Sequence, residues 1–240
     1  MRIDAYVFLG PTLPAAEAIA ICDAIVMPPV ACGDVYRLVR DARPARIAII
    51  DGYFERMAAV WHKELLFALE RGVEVWGASS MGALRAAELR AFGMRGVGSI
   101  CRAFARGRLT DDDEVAVVHG PAELGYPAMS TAMVDLRAGL ARATISSRSK
   151  ARLLDRAKAR FYRDRSWDAL VDDARALRLP RRERDVIAAL AARAPSAKAD
   201  DARALLRTIA KSRAARGRPR WKLEPTWFWH QLRAIVDSES

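Results

Sequence analysis

Cysteine is scarce. Cys22, Cys32 and Cys101 are the only three in 240 residues, they form no CxxC pair, and one is left over from any pairing. That count argues against a disulfide framework. With no secretory leader visible, it predicts a reducing, cytoplasmic setting. No apolar run approaches the roughly 20 residues needed to cross a bilayer, so no membrane association is expected. No GKS or GKT follows a glycine-rich loop, and "GMRGVG" (93–98) reads as having no strand before it, so nucleotide fingerprints are weak. The acidic "DDDE" at 111–114 has no histidine pair or regular ligand spacing beside it. It reads as a solvated turn, and neither a metal nor a cofactor is expected.

Hydrophobic residues make up 52% of the chain, which excludes disorder as its general state. The net charge of +11 is placed unevenly. Residues 1–135 hold 14 basic and 17 acidic side chains, and residues 136–240 hold 26 and 12. A basic half of this kind attracts nucleic acid, an acidic protein or an acidic peptide. Its arginines are spread along helical patterns rather than massed, and the aromatics Trp221, Trp227, Phe228 and Trp229 gather near the end instead of interleaving with them. A protein or acidic-peptide partner is therefore expected, and nucleic acid is not.

The first half alternates short apolar runs with helical spacing. "AYVFLG" (5–10), "AIVMP" (24–28), "RIAIID" (46–51), "VEVWGAS" (73–79) and "EVAVVHG" (114–120) suit buried parallel strands. Between the earlier runs lie "PAAEAIAIC", "GDVYRLVRDA" and "ERMAAVWHKELLFALERG", whose composition and spacing are helical. From about Met129 the pattern becomes a series of amphipathic helices rich in Ala, Leu and Arg, punctuated by Ser146, Ser166 and Pro180. The expectation is an α/β protein: a core domain at 1–128, with a parallel sheet and flanking helices, followed by a basic helical half at 129–240 packed on it or appended to it.

Ligands of open α/β sheets bind beyond the carboxyl ends of the strands. The predicted ends carry Gly10, Asp51, Ser79-Ser80 and His119, so an Asp, a Ser and a His emerge along one edge. These are the residue types of an acyl-transfer triad. Ser80 lies in Ala-Ser-Ser-Met-Gly, close to a nucleophile elbow, and the amides of Met81 and Gly82 could serve as an oxyanion hole. The residues alone leave two readings of the serines: nucleophile, or N-cap of the next helix. His119 is a candidate base or a satisfied, partly buried histidine. His62, in "AVWHKELL", faces the core or leans over the site; His230 is most simply packing. Cys32, just past a strand end, is a sulfur carrier or a small buried thiol.

The blocks "VFLGPTL" (7–13), "DGYFERMAAVWHKELLFAL" (51–69), "VWGASSMGALRAAEL" (75–89), "GMRGVGSI" (93–100) and "DDEVAVVHG" (112–120) together resemble the TfuA-like protein family. The resemblance fades after about Arg137. It implies a partner of YcaO enzymes, which activate backbone amides of ribosomally made peptides, and a role in replacing an amide oxygen by sulfur. It further implies sulfide supply by hydrolysis of a thiocarboxylated, ubiquitin-like sulfur carrier protein, with a precursor peptide as a further partner. In that reading Ser80 attacks, His119 or His62 moves the proton, and Asp51 orients the histidine. Ser79, Met81, Gly82, Gly10 and Arg85 would surround the substrate. Two other readings stay open: a non-catalytic adaptor that docks a YcaO enzyme and its peptide, and a nucleic-acid binder using the basic half.

Overall fold

Five parallel strands in the order β2-β1-β3-β4-β5 form the centre of the molecule. They are β1 (Ala5–Phe8), β2 (Ile25–Met27), β3 (Arg46–Ile49), β4 (Glu74–Gly77) and β5 (Arg95–Gly96). The computed structural model describes residues 5–54, 57–214 and 217–239. In the register, Phe8 lies beside both Met27 and Ile49, and Ile49 beside Gly77, so the carboxyl ends of β1, β3 and β4 finish level. β3 and β4 are buried along their whole length, which is why their runs are apolar without alternation.

Handedness distributes the helices. Right-handed crossovers place the helix on one face when the chain steps from β1 to β2, and on the other when it steps back to β3, β4 and β5. Accordingly α1 (Ala15–Ile21) packs with Val7, Leu9, Ala48 and Ile50. On the opposite face, α2 (Asp34–Asp41), α3 (His62–Glu70) and α4 (Met81–Glu88) pack with Phe8, Ile47, Ile49 and Val75. One helix cannot cover a five-stranded face, and the remainder is filled from far along the chain. α10 (Ala197–Ala210) lies beside α1 with Ala202, Leu205, Leu206 and Ile209 inward. α11 (Trp227–Ser238) joins the other face through Trp229, Leu232 and Val236.

The remaining helices α6 (Met133–Arg142), α7 (Ser147–Ala159), α8 (Trp167–Ala176) and α9 (Arg181–Arg193) enclose a core of their own around Leu136, Leu140, Leu153, Leu170 and Ile187. Ser146 and Ser166 cap α7 and α8, each accepting an amide hydrogen bond on its hydroxyl. α10 is fastened to α5 (Ser99–Ala105) by Asp201, whose carboxylate accepts from Ser99 N at 2.9 Å and Ile100 N at 2.8 Å. The basic half thus divides between a second core and two helices that complete the first.

Two local readings of the sequence differ from the structure. The apolar run Glu114–Gly120 is not a strand. Asp112–Glu114 form a 3-10 turn, and the segment after it crosses the carboxyl ends of the sheet, with β-type pairing limited, among the described residues, to an isolated bridge between His119 and Ala128. Its apolar residues Val115 and Ala116 are buried because they roof the sheet edge. The fifth strand is instead Arg95–Gly96, inside "GMRGVG". The helix expected over "ERMAAVWHKELLFALERG" begins only at His62, its first residue. Glu55 and Arg56, at the start of that stretch, lie outside the described residues.

Candidate active site

The site lies where the strand order reverses. From β1 the chain leaves toward β2, whereas β3 continues toward β4, so the loops after β1 and β3 part and open a crevice at their carboxyl ends. Asp51, two residues past β3, spans it. Its buried carboxylate accepts from Gly10 N at 2.9 Å, Thr12 N at 3.0 Å and Thr12 Oγ1 at 2.6 Å. This pins the loop after β1 to the end of β3. Among the described residues no hydrogen bond joins Asp51 to a histidine.

The junction from β4 to α4 explains the small residues of Gly-Ala-Ser-Ser-Met-Gly. A Cβ on Gly82 would stand 1.7 Å from Ile49 O, and one on Gly77 would stand 2.0 Å from Gly82 O. The helix therefore starts in backbone contact with β3 and β4, which only glycine permits. Ser79 carries the turn with φ +69°, in the left-handed region. It is sealed from solvent, with its hydroxyl 3.4 Å from Thr12 Oγ1. Ser80 is the N-cap residue by position, yet its side chain caps nothing. Its hydroxyl donates to Val115 O at 3.3 Å, in the segment that roofs the site. The amides of Ser80 and Gly82 both donate to Ile50 O, at 3.3 and 3.4 Å. Among the described residues no hydrogen bond from Met81 N–H is seen, and it stands in the first turn of α4.

Ser80, Asp51 and His119 line one small cleft, of about 50 Å³, together with Phe54, Met81 and Leu84. The His119 ring sits between Tyr53 and Tyr126, with centroids 5.7 and 5.6 Å away. Its Nδ1 is 2.9 Å from Gly120 O, a contact made only if Nδ1 carries the proton; Nε2 is then the free, basic nitrogen. Burial pushes the Tyr53 phenol up to about 12, helped by its hydrogen bond with Tyr126, so it stays a neutral donor.

His62 stands elsewhere. It is exposed at the start of α3, and its Nε2 lies 2.8 Å from Glu88 Oε2, the oxygen that also accepts from Arg85 Nη1 at 2.7 Å. Burial works to raise the Glu88 carboxyl, but the hydrogen bonds from His62 and Arg85 outweigh it and hold it below the ordinary value. Arg85 and Glu88 line a wide groove of about 700 Å³ that shares Phe54, Met81 and Leu84 with the Ser80 cleft. The far wall of the groove is the acidic turn. The carboxylates of Asp111, Asp113 and Glu114 lie within 4.8 Å of one another, and Lys158, Arg165 and Arg137 pair with them. Cations already neutralise that cluster. Cys32 is half-buried, and burial pushes its thiol up to about 12, so it is protonated and a poor nucleophile at neutral pH.

Residues 51–166 match the family model of the TfuA-like proteins. The chain carries a TfuA-like domain. The matched stretch begins at Asp51, holds Ser79–Gly82 and His119, and ends at Ser166, covering just under half of the chain. No match was found among curated proteins. Gly10 and Thr12, which anchor Asp51, lie before the TfuA-like domain, and Lys198 lies after it.

Four residues around this cleft were not among the candidates read from the sequence. Thr12 holds Asp51, Tyr53 and Tyr126 flank His119, and Lys198, fully buried on α10, donates through Nζ to Val115 O at 2.9 Å. The Val115 carbonyl therefore takes Ser80 and Lys198 together. Only the proximity of Thr12 to a predicted strand end hinted at any of these.

Proposed function

We propose that this protein is an accessory hydrolase that supplies sulfide for YcaO-dependent thioamidation of ribosomally made peptides, by Ser80-dependent hydrolysis of a thiocarboxylated sulfur carrier protein. The observation that carries the proposal is the meeting of Ser80, Met81 and His119 in one cleft at the reversal of strand order, within the TfuA-like domain. Each group has a part in acyl transfer. Ser80 Oγ, released from Val115 O, forms a bond to the carbon of the carrier's C-terminal thiocarboxylate while His119 Nε2 takes the hydroxyl proton. Met81 N–H, at the start of α4, stabilises the oxyanion. The intermediate collapses with loss of sulfur, which leaves as HS⁻ with the proton returned by His119. Water then attacks the seryl ester with His119 again as base. The net change is thiocarboxylate plus water to carboxylate plus H₂S, with no redox step.

Asp51 acts through structure in this scheme, fixing the loop from Gly10 to Thr12 that walls the crevice. Arg85 and the groove it lines offer a path for the extended C-terminal tail of the carrier. The protein partners would be a YcaO enzyme, the carrier and the precursor peptide.

Sulfide release from a thiocarboxylated carrier tests the reading. Ser80→Ala should lower turnover by roughly 10³-fold or more with the fold retained, and His119→Gln by roughly 10²–10⁴-fold. His62→Gln should leave most of the rate. Normal release by a folded Ser80→Ala protein would remove the nucleophile from the scheme.

A second reading is favoured by one observation. Leu124 and Met129, 72% and 69% exposed, lie on the turn that follows the segment carrying His119. Apolar side chains so placed suit the docking of a partner over a closed cleft, as an adaptor for a YcaO enzyme requires. Thioamidation that needs the protein but is indifferent to Ser80, Ser79 and His119 would establish that reading instead.

A further inference from the structure

At the other end of the sheet, a cavity of about 560 Å³ is lined by five arginines and no carboxylate. Pro44 and Val73, just before β3 and β4, form part of its wall, so it opens at the amino ends of the strands, opposite Ser80. The arginines come from separate segments: Arg40 on α2, Arg43 after it, Arg71 at the end of α3, Arg218 on the irregular connector, and Arg233 on α11. Such convergence does not follow from one basic stretch of sequence.

The charges are not balanced within the protein. Arg40 is engaged, pairing with Asp41 at 2.6 Å and Asp237 at 2.8 Å. Arg233 donates to the Tyr36 hydroxyl at 3.2 Å. Arg43, Arg71 and Arg218 have no carboxylate partner among the described residues, although Arg71 lies over the Phe67 ring at 4.9 Å. The carboxyl ends of α2 and α3 each contribute about half a negative charge here. Together with Asp41 and Asp237 they leave about two of the five positive charges uncompensated. Arg220 and Lys222 continue the positive surface along the connector.

We propose that this cavity binds an oligophosphate anion: pyrophosphate, triphosphate, or the phosphate chain of a nucleotide. Three observations select that chemistry. Planar guanidinium groups bind phosphate oxygens in pairs, and several around one hollow match a ligand with several phosphates. The volume falls within the range of small-molecule sites rather than of flat protein interfaces. The aromatic floor of Tyr36 and Phe67 is buried and already covered by guanidiniums, so recognition rests on charge rather than on base stacking.

The test is calorimetric titration of the full chain at about 0.15 M salt, the physiological ionic strength, with pyrophosphate, tripolyphosphate, a nucleoside triphosphate and an Asp/Glu-rich peptide. Tripolyphosphate should bind in the micromolar range and more tightly than pyrophosphate, weaken steeply with added salt, and raise Tm. A nucleoside triphosphate that binds like tripolyphosphate would identify the phosphate chain as the whole ligand, and one that binds at least tenfold tighter would identify a nucleotide. Arg43→Gln/Arg71→Gln should weaken binding at least tenfold. Arg218→Gln, on a connector outside any helix, gives the same reading without risk to the fold. Absence of phosphate binding, binding unchanged in both variants, or binding of the acidic peptide alone would overturn the proposal.

Discussion

Replacing Gly82 by alanine adds one methyl group where the structure leaves no room. The new Cβ would lie 1.7 Å from Ile49 O and 3.3 Å from Gly77 Cα, both backbone atoms in central strands. Ordinary contact begins beyond about 3 Å, so α4 would have to move outward by more than 1 Å along the face it packs against. Overfilling a packed interior costs about 1–3 kcal/mol where side chains give way, and here rigid backbone must give way. The gain from better helix propensity is at most about 1 kcal/mol, and less in a first turn. A net loss of roughly 3 kcal/mol follows, which for a chain of this size lowers Tm by roughly 6–12 °C. The matching control is Gly217→Ala, where a Cβ meets nothing within 4 Å and should change stability by less than about 0.5 kcal/mol. Urea and thermal unfolding of both variants, followed by circular dichroism, measures the difference. A Gly82→Ala protein as stable as Gly217→Ala would refute the claim that these glycines exist for close backbone approach, and would reopen a purely catalytic reason for them.

Glu64 accepts from Gly33 N, Tyr36 N and Trp61 N inside the protein, and burial raises its pKa to about 7 against an ordinary value of 4.5. Between those values the folded state holds a proton that the unfolded state has released, so stability should fall as pH rises from 4.5 to 7, by at most roughly 3 kcal/mol. Urea midpoints at pH 5 and pH 7.5 measure it; Glu64→Gln should flatten the slope, and an unchanged slope would discard the assignment. Asp51→Asn keeps the shape but turns an NH₂ group toward amide donors of the loop after β1, and should cost roughly 1–3 kcal/mol by chemical denaturation. A neutral result there would mean that the loop is held by other contacts.

The order of elements in the first half was legible because buried parallel strands and the helices between them write different periods into the sequence. Four of the five strands stood out as apolar runs. The fifth did not, since Arg95–Gly96 is a two-residue edge strand, too short for any periodicity. Val115 and Ala116 misled for a physical reason: burial selects apolar residues whether they join a sheet or roof its end. Asp51 and Ser80 were legible as candidates because strand ends locate a crevice, whereas His119 was picked out at the end of a strand that the structure does not have, and lines the crevice from the segment that roofs it. Their hydrogen bonds were not, because Thr12, Tyr126 and Lys198 reach the site from distant positions that no local pattern connects. The arginine cavity was hidden for the same reason, its lining being assembled from separate segments.

The placement of α10 has a consequence for how the chain is made. Its apolar partners Val7, Leu9, Ala48 and Ile50 lie within the first 50 residues, while the helix that covers them ends at Ala210. At about 5–20 residues per second, a ribosome needs roughly 6–23 s after adding Gly96 to add Ala210. Through that interval the finished strands hold one greasy side partly uncovered, with α1 alone against it. A nascent chain in this state is a natural client for chaperones. Growth temperature and translation speed should therefore govern the soluble yield of this protein more than its final stability does.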